Sequence, residues 1–380
     1  MSLFSKQESY IGVDIGAHGI KLVELKKNKG RPQLWTYGIL DKELDVHIPN
    51  TQMSATYGKS TALPKPMDQK SSSDLAPSSV RDFIVNESRI GAYADLLKIL
   101  VKEAKVYGRK VTSSLPVSYV FHAILNLPNV EEKELPSIVE AEVTKMISKP
   151  ASEMQIVYQK VPVKDETKKN YTTLLVTAAP KALVAFYTAI FDKAGLVLQE
   201  LETEAFALAR SLVGKDTTVS MVVDIGAERT NFFIIDNGLP MTHRSLHLGG
   251  NMIDELLSQN LGVERVLASQ IKKDLSGVAT KLPYEQFMSF LDPLVKEIQY
   301  SFDLYLQQTG NEGKIPEKII LSGGACLFAP IASYLAENFP MKVFIGDPWA
   351  RVIYQSGLKP VLREIGSRMA VSIGLALRHF

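Results

Sequence analysis

A single cysteine, Cys326, is all that 380 residues contain. That excludes an intrachain disulfide and thiolate zinc clusters, and it suits a reducing cytoplasm. No apolar run approaches the ~20 residues a membrane helix needs, and the opening Met-Ser-Leu-Phe-Ser-Lys-Gln-Glu-Ser lacks the apolar segment of a secretory signal. Charge of one sign is also missing. The 43 Lys and Arg face 41 Asp and Glu, so the overall balance draws the chain neither to nucleic acid nor to an anionic membrane. The expectation is a soluble cytoplasmic protein without membrane insertion, whose membrane role comes through a partner. Absent motifs exclude further chemistry. There is no GxxxxGK[ST] loop, no HExxH and no GxSxG, and the six histidines do not cluster at metal spacing.

What is present is an ordinary globular composition, 46% hydrophobic and 22% charged, with room for at least two domains. One stretch occurs twice. The first copy is Gly12-Val-Asp14-Ile-Gly16-Ala-His-Gly-Ile-Lys21-Leu-Val-Glu-Leu25, and the second is Val222-Val-Asp224-Ile-Gly226-Ala-Glu-Arg-Thr-Asn231-Phe-Phe-Ile-Ile235. Each reads as a buried strand, a tight turn and a strand returning antiparallel. Gly16 and Gly226 remove the Cβ at the turn, so main-chain N–H groups can approach an anion. Asp14 and Asp224 sit at the turn mouth, where a carboxylate holds a hydrated Mg²⁺ or orients a water. One such strand end is an ordinary hairpin. Two copies, each opening a domain, point to related halves closing on one phosphate group.

The periodicity predicts a third strand over Gln33–Leu40, then a polar insertion from about 45 to 79 rich in Ser, Thr, Pro, Lys and Gln. A strand at Val80–Val85, a helix at Tyr93–Val106 ended by Gly108 and a strand at Lys110–Leu115 complete the first sheet. A separate α+β unit follows. Its strands are Tyr119–Leu127, Met154–Val163 and Tyr171–Ala178, the last two joined by the loop Lys164–Asn170, and its helices are Glu131–Ile147 and Lys181–Ala194. Beyond a strand at Leu196–Leu201, helices are expected at Thr203–Leu212, Met252–Leu261, Val263–Leu275 with Lys272 on its exposed side, Tyr284–Gln308, Ala329–Phe339 and Ser367–His379. Lys21 reads equally as a phosphate ligand or a solvated strand lysine, and His18 as a solvated turn histidine within the phosphate turn. A strand at Lys318–Leu321 runs into Ser322-Gly323-Gly324-Ala325-Cys326, a third glycine turn against whose backbone a flat purine can lie.

The opening DIGAHGIKLVEL, the second DIGAERTNFFII and the SGGA turn before Asp347-Pro-Trp349 and a terminal GLALR together resemble the actin-like ATPase superfamily. Within it they are most similar to the PilM family of type IV pilus assembly, with the FtsA family a near relation. The resemblance implies an α/β actin-like ATPase fold, two RNase H-like halves with a small inserted α+β subdomain. Subdomain 1A would cover 8–116, 198–215 and 350–380, 1C 117–197, 2A 216–250 and 312–349, and 2B 251–311. It implies ATP and Mg²⁺ as cofactors. Asp14, Gly16, Ala17, His18 and Lys21 match the first phosphate turn, and Asp224, Gly226, Ala227 and Thr230 the second. Gly250 and Lys272 match the far wall, and Gly323, Gly324 and Ala325 the adenosine turn. Asp14 and Asp224 would hold the Mg²⁺ through water. Asp224, Glu202 and Glu204 are the candidates for hydrolysis, which is slow at most. Ser269 stands where the family usually has an acid, and Ala325-Cys326 where small or polar residues are common. The partner implied is the N-terminal cytoplasmic peptide of a PilN-like inner-membrane protein, taken by a groove between the first domain and the small subdomain. Other pilus assembly proteins, and a second copy of the chain, are further implied partners. An FtsA-like filament former and a small-molecule kinase are the alternatives; the chain stops at Phe380 without the amphipathic tail expected of the former.

Overall fold

The computed structural model describes residues 8–44, 87–128, 130–147, 150–161, 171–273, 282–308 and 310–380. The polar insertion expected at 45–79, the strand expected at Val80–Val85 and the loop Lys164–Asn170 lie outside them. Strands β1 (Ser9–Gly16) and β2 (Gly19–Asn28) form the first hairpin, with β1 buried from Ile11 to Ile15. A turn at Lys29 and Gly30, with φ of 49° and 79°, leads into β3 (Arg31–Leu40). Two successive positive φ values match the right-handed twist of the strands they join. Helix α1 (Glu87–Glu103) begins before the expected Tyr93, and β4 (Lys110–Leu115) then pairs parallel to β1.

Next come β5 (Phe121–Pro128), α2 (Leu135–Met146), β6 (Met154–Lys160), β7 (Tyr171–Pro180) and α3 (Lys181–Lys193). Their antiparallel sheet runs β5-β7-β6 and buries Leu125, Val139, Val143, Leu174 and Val176 in a core of its own. The chain divides into two compact units, one of 1–42, 99–117 and 196–380, the other of 43–98 and 118–195.

In the larger unit, β8 (Val197–Thr203) includes Thr203, so the helix expected at Thr203–Leu212 starts one residue later. The helix α4 (Glu204–Leu208) is a single turn that widens into a π-helical turn at Ala209–Val213 and stops at Gly214, whose φ is 64°. The second hairpin is β9 (Ser220–Ile225) and β10 (Thr230–Asp236), followed by β11 (Leu239–Leu246), a strand not anticipated from the sequence. Helices α5 (Gly250–Leu261) and α6 (Arg265–Lys273) follow, then a 3₁₀ turn at Tyr284–Phe287 entering α7 (Met288–Leu306). The chain closes with β12 (Lys318–Ser322), α8 (Ala329–Asn338), β13 (Lys342–Ile345) and α9 (Lys359–Ala376). Helix α9 starts before the expected Ser367 because Pro360 sits in its first turn, where a missing N–H costs nothing.

The two halves share one topology. The sheets run β3-β2-β1-β4-β8 and β11-β10-β9-β12-β13, each with an antiparallel hairpin followed by two parallel strands. Their shared seam holds Val222, Phe233 and Ile320 of the second sheet against Ala207 and Leu208 of α4 and Leu375 of α9. Two glycines permit that packing. A Cβ on Gly12 would lie 2.0 Å from the Ser372 carbonyl oxygen, and one on Gly374 would lie 1.9 Å from that of Ala207.

Candidate functional site

The duplicated stretches fold into hairpins of identical register. Asp14 pairs with Lys21 and Ile15 with Ile20, while Asp224 pairs with Asn231 and Ile225 with Thr230. In the first, Gly16 pairs with Gly19 around Ala17 and His18; in the second, Gly226 N donates to Arg229 O at 2.9 Å. Each aspartate receives help from the parallel strand beside it. Ser114 of β4 donates its hydroxyl to Asp14 Oδ1 at 2.8 Å, while Ser322 of β12, the register partner of Asp224, favours the charged form of that carboxyl and gives its hydroxyl to Ser367 O at 3.4 Å. Lys21 Nζ lies 3.8 Å from Asp14 Oδ2 and donates to Gly19 O at 3.3 Å.

A third carboxyl joins them. Glu204, first residue of α4, accepts from Asn231 Nδ2 at 3.4 Å. Burial, then the charges of Asp14 and Asp224, hold its proton well above the carboxylate range, against a backbone hydrogen bond from Val117 and the charge of Lys21. Asp224 is pushed up to about 6, by burial first and Asp14 second, with Ser322 and Lys21 opposing. Three acids thus share one region with Lys21 as the cation acting on them. Glu202 is elsewhere in chemistry though only two residues away. Its carboxylate is taken by Arg210 and by Arg378 Nη1, and it stands in none of the interactions that perturb Asp224 or Glu204.

This arrangement gives a pH dependence. The folded chain keeps the Asp224 proton to about pH 6, whereas the unfolded chain releases it near the ordinary 3.8. The native state therefore loses stability as pH rises from about 4 through about 6, by on the order of 2 kcal/mol after allowance for partial exposure. Asp224→Asn is expected to remove that loss. Calorimetric unfolding of both proteins checks it, and a difference between them that does not change with pH refutes it.

The second half builds a cradle from close backbone approaches. Gly250 N donates to Gly226 O and Asn251 N to Ala227 O, both at 2.8 Å, which seats the start of α5 on the second turn. A Cβ on Gly249 would fall 2.5 Å from Ala227 O. Gly323 has φ of +85°, and a Cβ there would fall 2.3 Å from Ile225 O. Both positive φ and the contact with β9 require glycine. Ala325 N donates to Ile225 O at 3.1 Å, and Gly324 stays open except for the stem of Arg368. Lys272 corrects the sequence reading: it is buried, not exposed. Its Nζ donates to Gly250 O at 2.9 Å and pairs with Asp254 Oδ1 at 2.7 Å, while a Cβ on Gly250 would fall 3.1 Å from that of Ala325. Thr230 is fully buried, with its hydroxyl given to Leu248 O at 2.7 Å.

The structure thus brings together Asp14, Gly16 and Lys21 with Asp224 and Glu204, and separately Gly226, Ala227, Gly250, Lys272, Gly323 and Ala325. Ala17 and His18 form the tip of the first turn. Four residues of this region were missed from the sequence: Ser114, Ser322, Asn231 and Asp254. A signal existed for the serines, since Lys110-Val-Thr-Ser-Ser114 and Lys318-Ile-Ile-Leu-Ser322 end equivalent strands. Asn231 was legible as the counterpart of Lys21. Asp254 had no signal beyond helical spacing.

The pattern of the family described as Type IV pilus assembly protein PilM matches residues 72–380. A solved PilM-PilN type IV pilus biogenesis complex contains a chain similar to this one, with a TM-score of 0.75 at 24% identity over 97% of this chain and 98% of that one. The ethanolamine utilization protein EutJ from Carboxydothermus hydrogenoformans is more distant, with a TM-score of 0.50 at 13% identity over 97% and 90% of the two chains. The likeness is one of fold, and the fold is that of the actin-like ATPases. By the extent of the family match, the chain belongs to the PilM family of type IV pilus assembly proteins.

Proposed function

We propose that the chain binds ATP with a hydrated Mg²⁺ between its two hairpins, and that it docks the N-terminal cytoplasmic tail of a PilN-type inner-membrane protein. Bound nucleotide sets the affinity for the tail. The observation that carries the nucleotide half is the duplicated hairpin: each strand ends in an aspartate beside a serine of the neighbouring parallel strand, and both aspartates act on Glu204. Converging carboxyls with one lysine suit a divalent cation. Asp14 and Asp224 would hold such an ion through water. When bound, such an ion neutralises phosphate charge.

Around it, backbone N–H groups at Gly16, Ala17 and Ala227 and the Lys21 ammonium would meet phosphates, while Gly226, whose own N–H is given to Arg229 O, would shape the second turn. Gly250, Gly323, Gly324 and Ala325 would face the nucleoside, with Lys272 fixing Gly250. His18 belongs at the tip of the first turn, and Thr230 supports the second turn from beneath. For hydrolysis, Glu204 is favoured over Glu202, whose charge two arginines already satisfy. Clamping two halves requires no base, since a ligand that prefers the closed state shifts the population unaided.

The partner half rests on family membership and on the likeness to a chain solved with PilN. Titration calorimetry with a synthetic peptide of the cognate tail tests it. ATP with Mg²⁺ is expected to change the peptide's Kd by about five-fold or more, the lower bound of ordinary allosteric coupling. A tail that fails to bind, or binds equally with and without nucleotide, refutes the reading.

A further inference from the structure

The neutral overall balance conceals a local excess of positive charge. Residues 25–35 hold four Lys or Arg and residues 104–111 three, with no Asp or Glu in either. The fold brings these segments together. Tyr107 N and Gly108 N donate to the buried Glu24 at 2.9 and 2.8 Å, and Thr36 Oγ1 donates to Ala104 O at 2.6 Å. Lys29, Arg31, Lys105, Arg109 and Lys110 are all exposed there, with Glu8 and Glu103 the acids flanking them. The location follows from topology. The β2–β3 turn and the starts of β4 and β8 lie at the end of the first sheet opposite Asp14.

Two large aromatic side chains project from this basic end. Leu25 pairs with Leu34 but Glu24 with Thr36, so Trp35 is the extra residue of a β-bulge. A bulge redirects the side chain it inserts, and Trp35 is left 54% exposed, with Tyr107 at 58%. Neither ring is loose. Lys26, itself buried, places Nζ 3.1 Å from the Trp35 ring centroid and 4.6 Å from that of Tyr107. The fold thus spends a bulge and a buried lysine to present a tryptophan and a tyrosine among cations. Trp and Tyr favour the headgroup level of a bilayer, and Lys and Arg favour anionic lipid.

We propose that this end of the first sheet adsorbs to an anionic membrane surface, with Trp35 and Tyr107 seated among headgroups and the lysines and arginines facing lipid phosphates. No described helix is long and apolar enough to cross a membrane, so the contact is peripheral. It leaves the opposite, Asp14 end of the sheet facing away from lipid. It also goes beyond nucleotide and tail binding, and depends on neither.

The test uses the full chain with phosphatidylcholine vesicles and with vesicles that also carry phosphatidylglycerol. Co-sedimentation is expected only with the latter and is expected to weaken as salt rises. Lys105→Glu and Arg109→Glu are each expected to lower the partition at least about five-fold, the effect of one charge near such a surface. Lys296→Glu, exposed on α7 in the second half, is expected to change nothing. The sequence has two tryptophans, and Trp349 is buried. A blue shift of emission on adding anionic vesicles therefore reports Trp35. Tyr107→Ala provides a second aromatic variant should Trp35→Ala unfold, and circular dichroism melts separate unfolding from lost adsorption. Several outcomes overturn the proposal: no adsorption, equal adsorption to neutral vesicles, or adsorption insensitive to the charge variants. Binding of polyglutamate or nucleic acid through these residues, without vesicle binding, also overturns it and identifies an acidic macromolecule instead.

Discussion

Gly12→Ala and Gly374→Ala are each expected to destabilise the larger unit by about 3 kcal/mol, the upper part of the usual overpacking range. The reason is that the added methyl meets backbone, which cannot rotate away. At Gly12 it would sit 2.0 Å from Ser372 O and 2.6 Å from Ala376 N, so α9 would have to lift from β1. At Gly374 it would sit 1.9 Å from Ala207 O and 2.4 Å from its carbonyl carbon, so α9 would have to part from α4. One helix is held from two sides, and either change breaks the seam on which the two sheets meet. Gly357 provides the comparison, since a Cβ there meets nothing within 4 Å. Gly357→Ala is expected to stay within about 0.5 kcal/mol of the parent. Urea unfolding of the three variants decides it, and an unshifted midpoint for Gly12→Ala would show that α9 can lift from β1 at no cost.

Why this much of the fold was readable in the sequence is clear from the duplicated hairpins. Buried central strands leave continuous apolar runs, such as Phe232 to Ile235, and a glycine ends each run where the chain must turn. β11 was not readable by that rule, because its residues are almost all half-buried and include Pro240, His243 and Arg244. A different signal was there. Asn237-Gly238, with φ of 50° and 77°, is the hairpin pair equivalent to Lys29-Gly30. Helix ends were displaced for local reasons. Helical periodicity does not register a π-helical widening such as the one after Leu208, and a proline in the first turn of α9 reads as a breaker unless the start is already known.

The site was legible where backbone dictates residue type and illegible where long side chains choose partners. Gly323 and Gly249 are fixed by contacts that no other residue permits. Lys272 was misplaced because a lysine on a charged helix ordinarily points to water. Here Asp254 and the Gly250 carbonyl supply an anion and an acceptor that compensate its burial. Glu202 and Glu204 looked interchangeable in sequence. They differ because β8 ends between them: Glu202 lies in reach of Arg210 and Arg378, while Glu204 begins α4 beside Asn231.

The second large effect concerns the paired aspartates. Asp14→Ala and Asp224→Ala are each expected to weaken ATP binding in the presence of Mg²⁺ on the order of 100-fold, about 2.7 kcal/mol. Ser114→Ala removes the hydrogen bond to Asp14 and is expected to cost about five- to ten-fold. The stability of the ligand-free proteins should diverge while affinity falls in both. Asp224 is a carboxyl that burial and Asp14 already penalise, so its loss leaves stability unchanged or raised at neutral pH. Asp14 accepts Ser114 and faces Lys21, so its loss strands both partners and lowers stability by about 1 to 2 kcal/mol. A protein that merely misfolded would lose affinity and stability together. Asp224→Ala is thus the sharper variant, expected to be at least as stable as the parent yet poor at holding nucleotide. Unchanged affinity in both alanine variants, measured by titration calorimetry beside thermal unfolding, would remove the hairpin pair from nucleotide binding and leave its shared register without a chemical purpose.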